Sequence, residues 1–95
     1  MSITVEFSGA LAHRLGRRQA TLEAPAPGTL AALLQRLRAD YPDLDATLSA
    51  TPHVASGMPF CGFIVKGRFV SASRAAATPV QDGETVTLML LVAGG

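Results

Sequence analysis

The sequence predicts a single α+β domain in which a mixed sheet of four to five strands carries one main helix on one face. Apolar and polar residues alternate from Ile3 to Phe7, and near the other end of the chain apolar residues recur at period two at Val86, Leu88, Leu90 and Val92. Between them, one long apolar stripe at helical spacing follows Gly28. The 95 residues are 48% hydrophobic and 16% charged, which is typical of one globular domain with one core.

Composition and charge exclude several functional classes. A net charge of +1 is too small for a nucleic-acid-binding face, so no nucleic-acid partner is expected. The chain has no apolar run of the roughly 18 residues that span a membrane, and no basic segment followed by an apolar one at its start. We therefore expect a cytoplasmic protein with no membrane partner. Cys61 is the only cysteine, which excludes an internal disulfide and a site with several cysteine ligands.

The first 24 residues predict two antiparallel strands joined by one helical turn. The turn begins at Ser8, a favourable N-cap residue, and ends at Gly16. Arg17 and Arg18 lead into the second strand, where a solvated turn is the expected role and binding of an acidic partner or of ATP is the alternative. The apolar residues expected to face the core are Ile3, Val5, Phe7, Leu11, Leu15, Ala20, Leu22 and Ala24.

The best-defined helix of the sequence starts at Thr29, a second N-cap candidate, and stops before Pro42. Its C-terminal half carries Arg36 and Arg38, cations that the negative end of the helix dipole favours. The apolar stripe follows the spacing i, i+3, i+4, i+7 and i+11 and consists of Leu30, Leu33, Leu34, Leu37 and Tyr41.

The second half of the chain predicts one more helical turn, a loop and three strands. Asp43–Leu48 forms the turn, with Leu44 paired to Leu48, and Ser49–Pro59 forms the most mobile interior loop because it has two prolines and little periodicity. The elements that follow are the strand Gly62–Val65, the turn Lys66-Gly67, the short strand Arg68–Val70, an irregular segment over 71–80, the turn Asp82-Gly83 and the last strand.

The last strand leads directly into a terminal pair of glycines. Its buried face is expected to consist of Val86, Leu88, Leu90 and Val92, and its outward face of Thr85, Thr87, Met89 and Leu91. After Ala93 the side chains end at Gly94 and Gly95. Because glycine lacks a Cβ atom, such a tail is flexible and slender enough to enter a narrow cleft. The chain is thus expected to be one domain over residues 1–95 with a flexible Gly-Gly tail.

These elements assemble into a β-grasp, or ubiquitin-like, architecture. The order is two strands, a long helix, a strand, a short strand and a final strand. A right-handed crossover brings the final strand to the centre of the sheet, beside the first. The helix then covers one face of the sheet and leaves the other open.

Six short motifs lie in order along the chain. They are Val5-Glu-Phe-Ser-Gly-Ala-Leu11, Pro27-Gly-Thr-Leu30, Tyr41-Pro42, Val65-Lys-Gly, Val80-Gln-Asp-Gly-Glu84 and Val92-Ala-Gly-Gly95. Taken together, they resemble the sulfur-carrier family that includes the small subunit of molybdopterin synthase and the thiamin sulfur carrier. The resemblance spans nearly the whole chain, apart from the loop at 49–61.

The resemblance implies a carrier protein that is not itself an enzyme. In this family an adenylating enzyme of the ubiquitin-activating type uses ATP to convert the terminal glycine carboxylate, here that of Gly95, into an acyl-adenylate. Sulfur from a persulfide donor then replaces AMP and leaves a thiocarboxylate, which donates its sulfur in the active site of an acceptor enzyme. Gly94 and Ala93 would thread the tail into both partners. No cofactor or metal is expected on the carrier.

The pathway that receives the sulfur stays open at this point, although the resemblance favours the large subunit of molybdopterin synthase in molybdenum cofactor biosynthesis. Molybdopterin-type carriers often have two prolines where this chain has Leu90 and Leu91. A carrier for cysteine, thiamin or a secondary metabolite is one alternative, and a protein modifier joined to lysines through Gly95 is another. A third is an interaction module with an idle terminus. The single Cys61 excludes a β-grasp ferredoxin.

The outward face of the last strand is the predicted docking surface. Met89 and Leu91 are apolar where a solvated strand would be polar, and Phe60 or Phe69 could extend this surface. The alternative is that the loop at 49–61 folds over Met89 and Leu91.

The remaining reactive residue types have simpler interpretations. Cys61 is read as a small buried hydrophobe in preference to a sulfur relay. His13 and His53 lack the spacing of a metal or catalytic pair, and Lys66 belongs to a turn.

Overall fold

The structure is a computed structural model that describes residues 2–26, 28–50 and 61–90. Within these residues the chain forms five strands, three α-helices and one 3₁₀ helix. In chain order they are β1 (Ser2–Phe7), α1 (Gly9–Leu15), β2 (Gln19–Glu23), α2 (Leu30–Asp40), α3 (Pro42–Ala50), β3 (Cys61–Val65), β4 (Arg68–Ser71), the 3₁₀ helix (Ala72–Ala77) and β5 (Thr85–Leu90).

The five strands form one mixed sheet in the order β2-β1-β5-β3-β4. β5 lies at its centre, parallel to β1 and antiparallel to β3, and the β1–β2 and β3–β4 pairs are antiparallel. The first and last strands therefore meet as the sequence predicts. This is the β-grasp topology.

A single hydrophobic core lies between one face of the sheet and the helices. The predicted inward faces of β1 and of β5 as far as Leu90 are confirmed, because Val5 and Val86 are fully buried and directly paired. Val92, the last residue of the predicted face, lies outside the described residues. Leu15, Ala24 and Leu90 are only partly buried, but each packs against the core. Burying one such aliphatic side chain stabilises a fold by roughly 1.5–3 kcal/mol. From the helices the core takes Leu11, Leu30, Leu33, Leu34, Leu37, Leu44 and Leu48.

The caps of α2 match the sequence prediction. The Thr29 side chain accepts a hydrogen bond from the backbone N–H of Ala32 at 3.2 Å. Tyr41 closes the other end, where its N–H donates to the carbonyl of Leu37 at 2.9 Å. Pro42 cannot continue this hydrogen-bond series because it has no N–H.

The segment after α2 forms a longer helix than the single turn predicted over Asp43–Leu48. α3 has nine residues, and it includes Ser49 and Ala50, which the sequence interpretation assigned to a loop. Pro42 ends α2 and is also the first residue of α3, where its fixed φ is favourable. Two aspartates in the first turn of α3 add a favourable interaction with the helix dipole.

Two smaller predictions were wrong in detail. The irregular segment predicted over 71–80 contains the 3₁₀ helix, in which Ala75 is fully buried. Ser8 precedes α1 as expected, but its side chain forms no capping hydrogen bond. Gly16 does end α1 in the left-handed region, with φ 69°, as predicted.

Candidate functional site

The last described residue, Leu90, ends the central strand of the sheet. Because β1 and β5 are parallel, their C-terminal ends lie at the same edge. At this edge the Ser8 N–H donates to the carbonyl of Leu88 at 2.9 Å, and Leu90 pairs with Cys61 of β3. We call this end of the sheet, marked by Phe7, Cys61 and Leu90, the exit edge.

The predicted tail follows Leu90 directly. Ala93, Gly94 and Gly95, to which the sequence assigns threading and chemistry, lie outside the described residues. The structure therefore fixes the point from which the chain continues, at a central strand held by neighbours on both sides.

The open face of the sheet carries an apolar patch that we define as Ile64, Phe69 and Met89. Phe63 and Leu88 are fully buried in the core, so their chain neighbours Ile64 and Met89 point to the opposite face. Phe69 pairs with Ile64 across the β3–β4 hairpin and shares that face.

The solvent exposure of the side chains in this open-face patch is highest on β4, the outermost strand on that side of the sheet. Phe69, on the edge strand β4, is 53% exposed and is the one large hydrophobic side chain among the described residues with high exposure. Ile64 and Met89 are half-buried. An exposed apolar surface on a small domain usually marks a contact site.

The structure brings two of the four predicted docking residues, Met89 and Phe69, to one face of the sheet. Phe60 and Leu91 lie outside the described residues, as do residues 51–60 of the loop proposed to cover this face. Sequence reasoning missed Ile64. Its position between the buried Phe63 and Val65 is the alternation that could have identified it.

Cys61 lies at the exit edge, but its thiol is not poised for chemistry. The side chain is buried, and burial raises its pKa to about 11, although Arg38 acts in the opposite direction. The thiolate is the nucleophilic form of cysteine, so this thiol is almost wholly unreactive near neutral pH. The structure therefore favours the predicted small buried hydrophobe over a relay.

The other reactive residue types behave mostly as the sequence interpretation expects. Lys66 occupies the hairpin turn with φ 53°, and His13 is exposed on α1. Arg17 is not merely a solvated turn residue, because its guanidinium carbon lies 4.7 Å from the centroid of the Tyr41 ring. His53 lies outside the described residues.

The described part of the chain contains neither a cluster of metal ligands nor a helix that could cross a membrane. Over residues 2–26, 28–50 and 61–90, no three side chains of His, Cys, Asp or Glu come together as metal ligands. Within the same ranges, none of the helices has the length and hydropathy needed to cross a bilayer.

Comparison with known proteins gives one family and a set of similar folds. The model of the ThiS family matches residues 5–95, and so extends through the terminal glycines. No curated protein sequence matches the chain significantly.

Three solved structures illustrate the likeness. SAMP1 from Haloferax volcanii has a TM-score of 0.68 at 18% identity, with all of both chains covered. The complex of subunits 1 and 2 of molybdopterin-converting factor from Helicobacter pylori contains a chain with a TM-score of 0.61 at 20% identity, again with full coverage of both. Urm1 from Trypanosoma brucei has a TM-score of 0.57 at 25% identity, over 99% of this chain and 95% of its own.

Proposed function

Because the chain belongs to the ThiS family of ubiquitin-like sulfur carriers, we propose that it carries sulfur as a thiocarboxylate on Gly95. The observation that supports this most strongly is the extent of the family match, which runs to the last glycine. The central position of β5 adds a physical reason. The residues after Leu90 continue from a strand that is paired on both sides, so the point from which the tail starts is firmly held.

The proposed chemistry begins with a carboxylate, which is a poor electrophile because its leaving group would be oxide. The Gly95 carboxylate attacks the α-phosphorus of ATP on an adenylating enzyme, and pyrophosphate leaves. The terminal sulfur of a persulfide then attacks the acyl carbon and AMP leaves. A second thiol reduces the resulting acyl disulfide and releases the thiocarboxylate. The carrier supplies delivery and orientation, while the enzymes supply the acid–base groups.

For the acceptor, we propose the large subunit of a molybdopterin synthase. The similar chain from Helicobacter pylori is subunit 1 of molybdopterin-converting factor, bound to subunit 2. The pair Leu90-Leu91, where prolines are common in such carriers, leaves a cysteine, thiamin or secondary-metabolite pathway as the second candidate.

A protein modifier is the alternative of a different class. The likeness to SAMP1, a small archaeal modifier protein, favours it. Both uses begin with the same acyl-adenylate. They differ in the next nucleophile, which is a sulfur atom for the carrier and a lysine amine for the modifier.

The docking surface in this proposal is the open-face patch, extended by Leu91 and by Phe60. The apolar exposure of Phe69 supports this role, as does the adaptable side chain of Met89. The adenylating enzyme and then the acceptor would use the same face in turn.

ATP–pyrophosphate exchange by the adenylating enzyme of the same organism tests the proposal. The wild-type chain should support exchange, and deletion of Gly95 or addition of residues after it should abolish exchange without lowering the melting temperature. Gly94→Ala should reduce exchange and acceptor activity with no change in melting temperature, because the added Cβ would obstruct a narrow channel. Normal exchange with an extended, unprocessed tail would refute the proposal.

A further inference from the structure

A cluster of arginines lies between α1 and β2. Three of the eight Lys and Arg residues, Arg14, Arg17 and Arg18, fall within five positions of the chain. All three side chains are exposed, and none forms an ion pair with another described residue. Arg36 and Arg38, in contrast, are each paired with an aspartate.

This arginine cluster stands beside the exit edge. Phe7, the last residue of β1, pairs with Leu88 and so lies at the exit edge. α1 begins only two residues later, at Gly9. On the other side of the cluster, the backbone carbonyl of Arg18 accepts a hydrogen bond from the Phe7 N–H at 2.8 Å. The arginines are therefore tied to the end of the sheet from which the tail continues.

An open groove of about 580 Å³ adjoins the cluster. Its charged lining consists of Arg17 and Arg18 against the single acid Glu6, and His13 also faces it. Arg17 is held against the Tyr41 ring and shares a second hollow with the acids Asp40 and Asp43. Arg17 therefore has more compensating neighbours than Arg18, which has only the acid Glu6 in its groove, and Arg14 lines neither hollow.

We propose that this arginine cluster guides the tail into the adenylating enzyme by binding an acidic protein surface beside the cleft that admits Gly95. The inference rests on the proposed function. Charge complementarity carries it, because unpaired cations concentrated at one edge favour an anionic partner, whereas the whole chain has a net charge of only +1.

The effect of such a surface falls mainly on the rate of association. A charged rim next to a binding cleft raises on-rates by roughly 10- to 1,000-fold at low salt. At an ionic strength of about 0.1 M, interactions between exposed charges fade beyond about 10 Å. Salt should therefore separate this contact from the apolar contact of the open-face patch.

The test compares two double variants that make the same change in net charge. Arg14→Glu with Arg18→Glu reverses the cluster, and Arg68→Glu with Arg74→Glu reverses two exposed arginines elsewhere. Arg68 starts β4 at the hairpin, the opposite end of the sheet from the exit edge. Arg14→Gln with Arg18→Gln gives a milder version, and melting temperatures check that each variant folds.

We expect reversal of the cluster to lower kcat/KM for pyrophosphate exchange about 10-fold at low salt, through KM and not kcat. The Arg68 and Arg74 variant should change it less than about 2-fold, and the difference should nearly vanish at about 0.5 M salt. Equal losses in both variants, or no loss in either, would overturn the inference.

Two further outcomes are distinct from these. If the wild-type chain supports no exchange at all, the proposed function fails and this inference fails with it. If exchange is unaffected while binding of a labelled single-stranded RNA oligomer is lost on reversal of the cluster, the arginines serve a nucleic acid and the inference is wrong.

Discussion

At the scale of single residues, burial determines which side chains a reagent or a partner protein can reach. Cys61 and Phe69 lie on the two paired strands of the β3–β4 hairpin, yet Cys61 is buried and Phe69 is 53% exposed. The thiol of Cys61, which is the more reactive group in solution, is therefore the one that the fold shields. Phe69, which the sequence interpretation named only as a possible extension of the docking surface, is the most exposed large apolar side chain among the described residues.

Native Cys61 should react slowly with a thiol reagent such as DTNB. Its pKa is raised from 9.0 to about 11, so at pH 8 the folded protein holds about 100-fold less thiolate than the unfolded chain. The labelling rate should rise with pH up to about 11. The control is the same protein in denaturing urea, where labelling should be fast. Rapid native labelling at pH 7 would show that Cys61 is accessible and would reopen the relay interpretation.

Among the elements, the corner between α2 and α3 was the least predictable from sequence. Pro42 correctly predicted the end of α2. Proline is also favoured at the first position of a helix, and Pro42 is the first residue of α3, so this one residue marks both a helix end and a helix start. Tertiary contacts then complete α3. The Arg38 side chain donates to Asp45 at 2.7 Å and to Ser49 at 3.2 Å, and single-sequence periodicity does not report such contacts.

Arg38→Ala should destabilise the fold more than Arg36→Ala. Arg38 joins two helices through a half-buried side chain, so its removal should cost roughly 0.5–1.5 kcal/mol of unfolding free energy. Arg36 forms an exposed i,i+4 pair with Asp40 within α2, which is worth about 0.3–0.5 kcal/mol. Urea unfolding of both variants measures the difference. A larger loss for Arg36→Ala would contradict the assigned bridging role.

Met89→Asp on β5, combined with Leu91→Asp, should weaken binding to both proposed partners and leave the isolated domain folded. The charge at position 89 would enter an apolar surface on the open face, away from the core. Thr85→Asp is the matched control, because Thr85 is exposed near the opposite end of the same strand. Isothermal titration with each partner measures the effect. Unchanged affinity, or unfolding of the double variant, would refute the docking assignment.

At the scale of the whole molecule, the order of the elements, the expected hand of the crossover and the hydrophobic last strand were enough to predict that β5 lies centrally beside β1. The apolar faces of β1, β5 and α2 fix which side of each element is buried, but the places of β3 and β4 in the sheet were not predicted. The three neighbouring arginines are visible in the sequence, but their position beside the exit edge is not. That position depends on the parallel pairing of Phe7 with Leu88, which brings residues some 80 positions apart to one end of the sheet.

The central claim, that Gly95 carries sulfur, is tested most directly by the intact mass of the protein purified from its native host. We predict a population heavier than the unmodified chain by the difference between a sulfur and an oxygen atom, with fragmentation placing the change on the last residue. The population should disappear in a host that lacks the adenylating enzyme. If the terminus carries only oxygen and the added mass appears instead as isopeptide-linked larger species, the protein is a modifier and the carrier assignment is wrong.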